Sequence, residues 1–203
     1  MATPSLPSDE ILIPKLLVQD ELAYNQVVLA YHGLMVHLAR AIVGSAIADE
    51  VAQESWVAVL RALPKFERRS SLKTWILRIV SNTAKSRLRH ESRTVNLGDA
   101  LDDSPIIDPS RFKANAHWAS PPMNWHADTP DELLSQAELR ECISNTLTSL
   151  PPVQRAAITL RDMQGLSMED ICKVLEVSES NGRVLLHRAR SRIQQAIDEH
   201  LKR

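Results

Sequence analysis

Residues 166–193 read LSMEDICKVLEVSESNGRVLLHRARSRI, and this stretch decides how the C-terminal part of the chain folds. Ser167 followed three residues later by Asp170 is a capping pattern that begins a short helix. A turn at residues 176–178 then leads into a long helix rich in arginine. Two helices joined by a three-residue turn are typical of a helix-turn-helix, whose second helix presents its first turns to base edges. An ordinary helical hairpin is the alternative interpretation.

The N-terminal half also predicts helices. Residues 20–93 contain three segments whose apolar residues recur at steps of three and four, which is the spacing of one helix face. Asp20 is expected to cap the first helix, Gly44 to end it, and Pro64 to limit the second. Aromatic residues make up only 4% of the chain and glycines number only 5, which argues against a β-sandwich or barrel.

The helical segments fall into two groups with a different stretch between them. Residues 1–19 hold three prolines and are expected to form a loose arm with at most a short helix near its end. Residues 94–128 are rich in proline and aspartate and lack periodicity, so they predict a flexible acidic linker. Helices resume at 129–203. The sequence therefore predicts an all-α fold of two small helical domains, 20–93 and 129–203. The linker aromatics would pack on a domain or contact a partner: Phe112, Trp118 and Trp125.

Composition excludes several classes of protein. The 203 residues include two cysteines without metal-ligand spacing, so we expect no metal site and no cofactor. None of the seven histidines has a cysteine, histidine or carboxylate at ligand or triad spacing, so we expect no enzyme. The start lacks the pattern of a secretory signal, and the apolar stretch at 27–43 is interrupted by charge. Cytoplasmic localisation without membrane insertion follows as the expectation.

Positive charge is concentrated in one part of a chain whose net charge is −1. Residues 61–93 contain ten basic and two acidic residues. On the third helix Lys73, Ser81, Lys85 and Arg89 are expected on one side, flanked by Arg78 and Asn82. Cations mixed with polar hydrogen-bonding groups suit phosphate binding with some base contact. A solvated helix face is the alternative, although acidic partners four residues away are missing.

A short acidic segment begins the second predicted helix. Glu50 and Glu54 are like charges four residues apart, with Asp49 and Gln53 beside them, and their repulsion costs a few tenths of a kcal/mol. Acids in the first turn also interact favourably with the helix dipole. The segment is therefore either capping charge or an acidic face for a basic partner.

Two longer segments resemble one known family. Residues 48–89, ADEVAQESWVAVLRALPKFERRSSLKTWILRIVSNTAKSRLR, are similar to region 2 of the sigma-70 family in its small extracytoplasmic-function branch. Residues 150–193, LPPVQRAAITLRDMQGLSMEDICKVLEVSESNGRVLLHRARSRI, are similar to region 4 of the same branch. The resemblance covers about 23–93 and 150–193. The joint match in order and spacing is more specific than a helix-turn-helix alone.

The resemblance implies a transcription initiation factor that binds core RNA polymerase, directs it to promoters and helps to open the duplex. The implied partners are the β′ clamp helices and β flap of polymerase, promoter DNA and an anti-sigma factor. The implied core-binding residues are Asp49, Glu50, Gln53 and Glu54. Those implied for the −10 element are Phe66, Arg68, Arg69, Ser70, Ser71, Lys73, Trp75, Arg78, Asn82 and Lys85. Those implied for the −35 element are Ser178, Glu179, Ser180, Asn181, Arg183, His187, Arg188 and Arg190.

The sequence departs from the pattern of this branch at two positions. The turn of the helix-turn-helix often carries Gly where Glu176 stands, and Gly182 stands where a larger residue is usual. Val184, Leu185 and Ala189 are expected to face the core. The alternative function is a helix-turn-helix regulator that acts without core polymerase. That alternative would explain residues 167–203 but neither the acidic segment nor the basic block.

Overall fold

The computed structural model describes residues 6–92 and 130–202, and these form eight α-helices without a β-strand. The linker at 94–128, with its three aromatic residues, lies outside the described residues, as does Thr129. The helices of the N-terminal domain are α1 (Asp9–Leu17), α2 (Glu21–Val43), α3 (Ala48–Ala62) and α4 (Leu72–Ser92). Those of the C-terminal domain are α5 (Pro130–Ser149), α6 (Pro152–Ile158), α7 (Met168–Leu175) and α8 (Glu179–His200).

The predicted helix boundaries of the N-terminal domain are confirmed. The Asp20 carboxylate accepts a hydrogen bond from the Ala23 N–H at 2.9 Å and so caps α2. Gly44, with a φ of +84°, follows the last residue of this helix. Helix α3 ends at Ala62, and a 3₁₀ turn at Leu63–Lys65 accommodates the proline.

Helix α2 is the central helix of the N-terminal domain. It packs against α1, α3 and α4, with Met35 and Leu38 fully buried. Leu72, Ile76 and Val80 form the buried side of α4. By length and composition alone α2 could cross a membrane, yet 39% of its most apolar window is buried by neighbouring helices.

The arm expected at residues 1–19 contains helix α1, which is part of this domain. Leu12 and Leu16 of α1 are buried almost completely. Asp9 also accepts a hydrogen bond from the backbone N–H of Leu72 at 2.7 Å. Because the first N–H groups of a helix have no partner within the helix, the α1 carboxylate caps α4 and fixes where it begins.

The helix-turn-helix comprises α7, a short turn and α8. Ser167 accepts from the Asp170 N–H at 3.1 Å, which confirms the predicted cap of α7. Ser178 accepts from the Asn181 N–H at 3.3 Å and caps α8. Glu176 ends α7 in the left-handed conformation, with φ of 58° and ψ of 47°. That conformation costs a residue with a side chain roughly 1–2 kcal/mol, which is why glycine is common there.

Gly182 lies at the crossing of α7 and α8 and is buried. A Cβ atom at this position would lie 3.1 Å from Cys172 Sγ and 3.4 Å from Met168 Sδ. The two helices therefore approach too closely for the larger residue that is usual in this branch. The absence of a side chain at Gly182 serves packing within the domain.

Arg190 was predicted to contact the −35 element, and this prediction is wrong. Only 2% of its side chain is exposed, and it forms a double hydrogen bond with Asp162 in the π-helical turn (Thr159–Met163) that continues α6. The prediction for Val184 is also wrong, because this residue is 45% exposed, whereas Leu186 and Ala189 are buried. From the arginine-rich pattern alone, Arg190 could not be told apart from the exposed arginines, although it anchors α8 to its own domain.

The two domains pack against each other. Helix α7 lies on α4, and α6 lies on α2. Thr74 of α4 donates to Asp170 of α7 at 2.9 Å, and Arg155 of α6 donates to the Ala41 carbonyl of α2 at 2.5 Å. Buried apolar residues of both domains join in one cluster.

Asp162→Ala should destabilise the C-terminal domain because it leaves the buried Arg190 guanidinium without its carboxylate. We expect the free energy of unfolding to fall by about 2–3 kcal/mol. Chemical denaturation followed by circular dichroism measures this. Arg190→Met combined with Asp162→Ala should cost less than Asp162→Ala alone, because no buried charge remains. Equal stability of Asp162→Ala and the wild type would contradict the anchoring role.

Gly182→Ala should lower the free energy of unfolding by about 1 kcal/mol, because the new methyl group presses on Cys172 Sγ. In a Cys172→Ala background the crowding is relieved. There the same change should be neutral or stabilise the protein by about 0.4–1 kcal/mol through restriction of the unfolded chain. The same destabilisation in both backgrounds would show that the close approach of α7 and α8 is not the reason for the glycine.

Candidate polymerase and promoter interface

The acidic face of α3 consists of Asp49, Glu50, Gln53 and Glu54, all of which are exposed. The opposite side of α3 is buried through Val51, Ala52 and Val59 and holds the helix on the domain. Packing of the apolar side therefore turns the carboxylates toward solvent, where a basic partner can reach them.

Part of this acidic charge is paired within the domain. Arg87 of α4 bonds to the carboxylate of Glu50 and lies 3.1 Å from that of Glu54. The sequence excluded pairing along α3 itself, and the partner comes instead from the neighbouring helix. Since Arg87 engages Glu50 and Glu54, Asp49 and Gln53 are better positions for testing the face.

Two apolar side chains continue the acidic face toward the end of α3. Val57 is 47% exposed and Leu60 is 49% exposed. They follow Gln53 at steps of four and three and so lie on the same side of the helix. The sequence pattern alone did not reveal this exposed pair. A helix face that is acidic at one end and apolar at the other can combine electrostatic attraction with apolar burial.

The loop before α4 presents polar and aromatic groups. Arg68 is exposed with a φ of 57°, and Arg69 pairs with Glu67 at 2.7 Å. Phe66 and Trp75 are both partly buried, and their ring centroids lie 4.8 Å apart. The ring contact positions the loop against the start of α4. Ser70 is partly buried, and Ser71 is exposed and accepts a hydrogen bond from the Thr74 N–H, as expected of a cap.

The polar residues of α4 do not form one exposed stripe. Ser81 is fully buried, and Lys73 and Lys85 are partly buried, whereas Arg78 and Asn82 are exposed. The predicted row of Lys73, Ser81, Lys85 and Arg89 is thus interrupted at Ser81, whereas Arg89 at its end is exposed. The reason is that Leu77 and Ala84 beside Ser81 belong to the core, which turns this side of α4 inward.

The C-terminal end of α7 engages the polar groups of α4. Arg78 donates to Glu176 Oε1 at 2.9 Å, and the Asn82 amide donates to the same oxygen at 3.4 Å. Lys85 donates through Nζ to the Leu175 carbonyl at 2.6 Å. Three of the residues implied for the −10 element are therefore hydrogen-bonded to groups of the helix-turn-helix.

The pKa values at this contact follow from its geometry. Burial raises the pKa of Glu176, but hydrogen bonds from Asn82 and Arg78 and the charges of Arg78 and Lys85 outweigh it and lower the pKa below its usual value. Burial lowers the pKa of Lys85, while the carboxylate of Glu176 opposes that change. The carboxylate is therefore held in its charged form.

The first turns of α8 present polar side chains to solvent. Ser178, Glu179, Ser180, Asn181 and Arg183 are exposed, and Arg183 pairs with Glu179 at 2.5 Å. Val184 stands exposed beside them, and sequence reasoning missed it. An apolar side chain among polar ones suits contact with a thymine methyl group in the major groove. Two further predicted residues lie partly buried on later turns: His187 and Arg188.

No metal centre is formed by the residues that the structure describes. Among them no group of three or more His, Cys, Asp and Glu side chains lies close enough to hold an ion. Cys142 and Cys172 are both free thiols.

Family models match both domains. Sigma-70 region 2 matches residues 27–94, and Sigma-70, region 4 matches residues 140–193. Curated relatives match almost the whole chain. The ECF RNA polymerase sigma-E factor of Salmonella typhimurium is 30% identical over 196 residues, 97% of each chain. The factor of the same name from Escherichia coli K12 is 29% identical with the same coverage.

Solved structures share the fold. The sigma factor RpoE of Bartonella quintana, in complex with the anti-sigma factor NepR, aligns with a TM-score of 0.58 at 21% identity, covering 86% of this chain and 96% of that one. CnrH in complex with the cytosolic domain of CnrY aligns with a TM-score of 0.61 at 20% identity, covering 95% and 99%. With both domain models in order and relatives aligned over nearly the full length, the chain belongs to the sigma-70 family of RNA polymerase sigma factors, in its extracytoplasmic-function branch.

Proposed function

We propose that this sigma factor binds core RNA polymerase through α3, reads the −10 element with residues 66–85 and reads the −35 element with α8. The observation that carries the proposal is the presence of two sigma domains, each with an exposed polar face of its own. In this proposal residues 20–93 act as region 2, 129–203 act as region 4, and 94–128 connect them. The C-terminal domain would bind the β flap, and the acidic face the β′ clamp helices.

Opening a promoter requires that unstacked bases be held apart from the duplex. The loop at 66–71 would take up such a base, because it combines exposed arginines with serine hydroxyls close to an aromatic pair. Lys73, Arg78, Asn82 and Lys85 would hold the phosphates of the strand that follows. Trp75 supports the loop through its contact with Phe66.

Reading of the −35 element is assigned to the start of α8. Arg183 and Asn181 are suited to donate to base edges, and His187 and Arg188 to approach phosphates one turn later. Glu179, Ser180 and Ser178 complete the group at the helix N-terminus. Arg190 is excluded from it by its burial.

The proposed activity is that of a non-enzymatic initiation factor acting where polymerase acts, in the cytoplasm. An anti-sigma factor is proposed as a further partner, since the sigma factor RpoE of Bartonella quintana was captured with such a protein. The test is run-off transcription with purified sigma-free core polymerase on genomic fragments. Promoter-dependent transcripts support the proposal. DNA binding without any transcript would favour the regulator that acts without core polymerase.

Replacing Asp49 and Gln53 with lysine should weaken binding to core polymerase about tenfold or more, because the new positive charges would face a basic surface. A fluorescence titration of labelled protein with core polymerase at moderate salt measures this. The control is Glu10→Lys with Gln26→Lys, which makes the same change in charge at exposed positions of α1 and α2. Unchanged affinity of the α3 variant would exclude the acidic face as the docking site.

Arg183→Ala should reduce binding of the −35 element by about 1–3 kcal/mol and relax the preference at one base pair if the guanidinium reads a base. A uniform loss with a smaller salt dependence would indicate a phosphate contact. Holoenzyme binding to promoter variants measures both. Lys173→Ala, an exposed cation on α7 paired with Glu169, is the control. If both variants bind as the wild type does, α8 has been assigned the wrong reading face.

A further inference from the structure

The face of α4 assigned to promoter DNA is occupied by the protein's own helix-turn-helix. Glu176 accepts from Arg78 and Asn82, and the Leu175 carbonyl accepts from Lys85 at 2.6 Å. These are the groups that would hold the phosphates of an opened strand. A carboxylate and a phosphate both offer anionic oxygens to arginine, amide and ammonium donors. The Glu176 carboxylate therefore accepts hydrogen bonds from α4 as a DNA phosphate would.

The backbone at Glu176 shows that the side chain is not there for the turn itself. Its φ of 58° and ψ of 47° belong to the conformation that glycine adopts most readily. Glutamate is a poorer residue for that conformation, so the turn alone does not favour it. What the glutamate adds is the carboxylate, whose partners in α4 lie 98 and 94 residues away in the chain.

We propose that Glu176 is an intramolecular latch that imitates a DNA phosphate and holds the free sigma factor closed, with α7 covering the −10 face of α4. This inference rests on the proposed function of α4. In the closed form the two DNA-reading elements are held in one body, so the end of α7 and a promoter strand compete for the same donors of α4. Free protein is then kept from binding DNA without polymerase.

In the closed form, the surface proposed to bind polymerase stays accessible. Asp49, Glu50, Gln53 and Glu54 lie on α3, outside the contact between α4 and α7, and they are exposed in the closed form. Polymerase can thus dock on the first domain before the second separates. The Glu176 side chain is 44% exposed and that of Arg78 is 54% exposed. A pair that water reaches this easily is weak, as a reversible latch must be.

The test compares free protein with Glu176→Gln, using a fluorescein-labelled, mixed-sequence single-stranded DNA and small-angle X-ray scattering. Glu176→Gln should bind the DNA about fivefold or more tightly and should have a larger radius of gyration. The matched control is Glu169→Gln, which removes the same charge from α7 at a residue paired with Lys173. The control should behave as the wild type does. Equal DNA affinity and equal scattering of the two variants would overturn the latch.

Two further variants protect the test against a folding defect. Glu176→Gly keeps the left-handed turn and should also open the protein without loss of thermal stability. Arg78→Glu should open it, and Arg78→Glu with Glu176→Arg should close it again in scattering. Failure of the double variant to close would contradict direct pairing.

A titration with core polymerase separates the latch from the proposed function. Glu176→Gln should bind core at least as tightly as the wild type, because no closed form has to be opened. If the wild type fails to bind core, the proposed function is wrong, while the scattering and DNA results still decide the latch. If the wild type binds core and directs transcription but Glu176→Gln changes neither scattering nor DNA affinity, only the latch is wrong.

Discussion

The burial of one side of α4 against α2 is the constraint on which the other surfaces depend. Leu72, Ile76 and Val80 fill that contact, and Asp9 caps the first turn. Because this side is buried, Arg78 and Asn82 on the other side of α4 are exposed. The same packing brings Arg87 to the acidic face of α3, so one helix orients both surfaces of the N-terminal domain.

In the C-terminal domain, packing also fixes which side chains are exposed, but through different contacts. A recognition helix is useful only if its rotation about its own axis is fixed, since base-reading residues must point outward together. Gly182 allows α8 to approach α7 closely, and Arg190 ties its middle to Asp162. These two anchors leave Asn181, Arg183 and their neighbours exposed. The sequence assigned Arg190 to DNA because its positive charge is also what a phosphate contact requires.

The contact between α4 and α7 connects the two surfaces. Both helices contribute buried apolar residues to the common cluster, and polar groups add to the contact between them. Thr74, Arg78, Asn82 and Lys85 all find partners on α7. A polar contact of this kind can be exchanged for another polar partner, whereas an apolar one resists separation. In the proposed latch, the same donors serve α7 in the closed form and DNA in the open one.

The helices, their caps and the presence of two helical domains could be predicted from local sequence patterns. Those features follow from local chemistry: the Asp20, Ser167 and Ser178 caps, the break at Pro64 and the apolar spacing each act within a few residues. The family resemblance rested on the same local patterns. The direction and the partner of individual side chains depend on how helices distant in the sequence pack together. The exposure of Arg190, Val184 and Ser81 was predicted wrongly, because the polarity of a side chain does not show which helix packs against it. Glu176 and Arg87 gained partners across 98 and 37 residues of sequence, a separation at which no periodicity can signal contact.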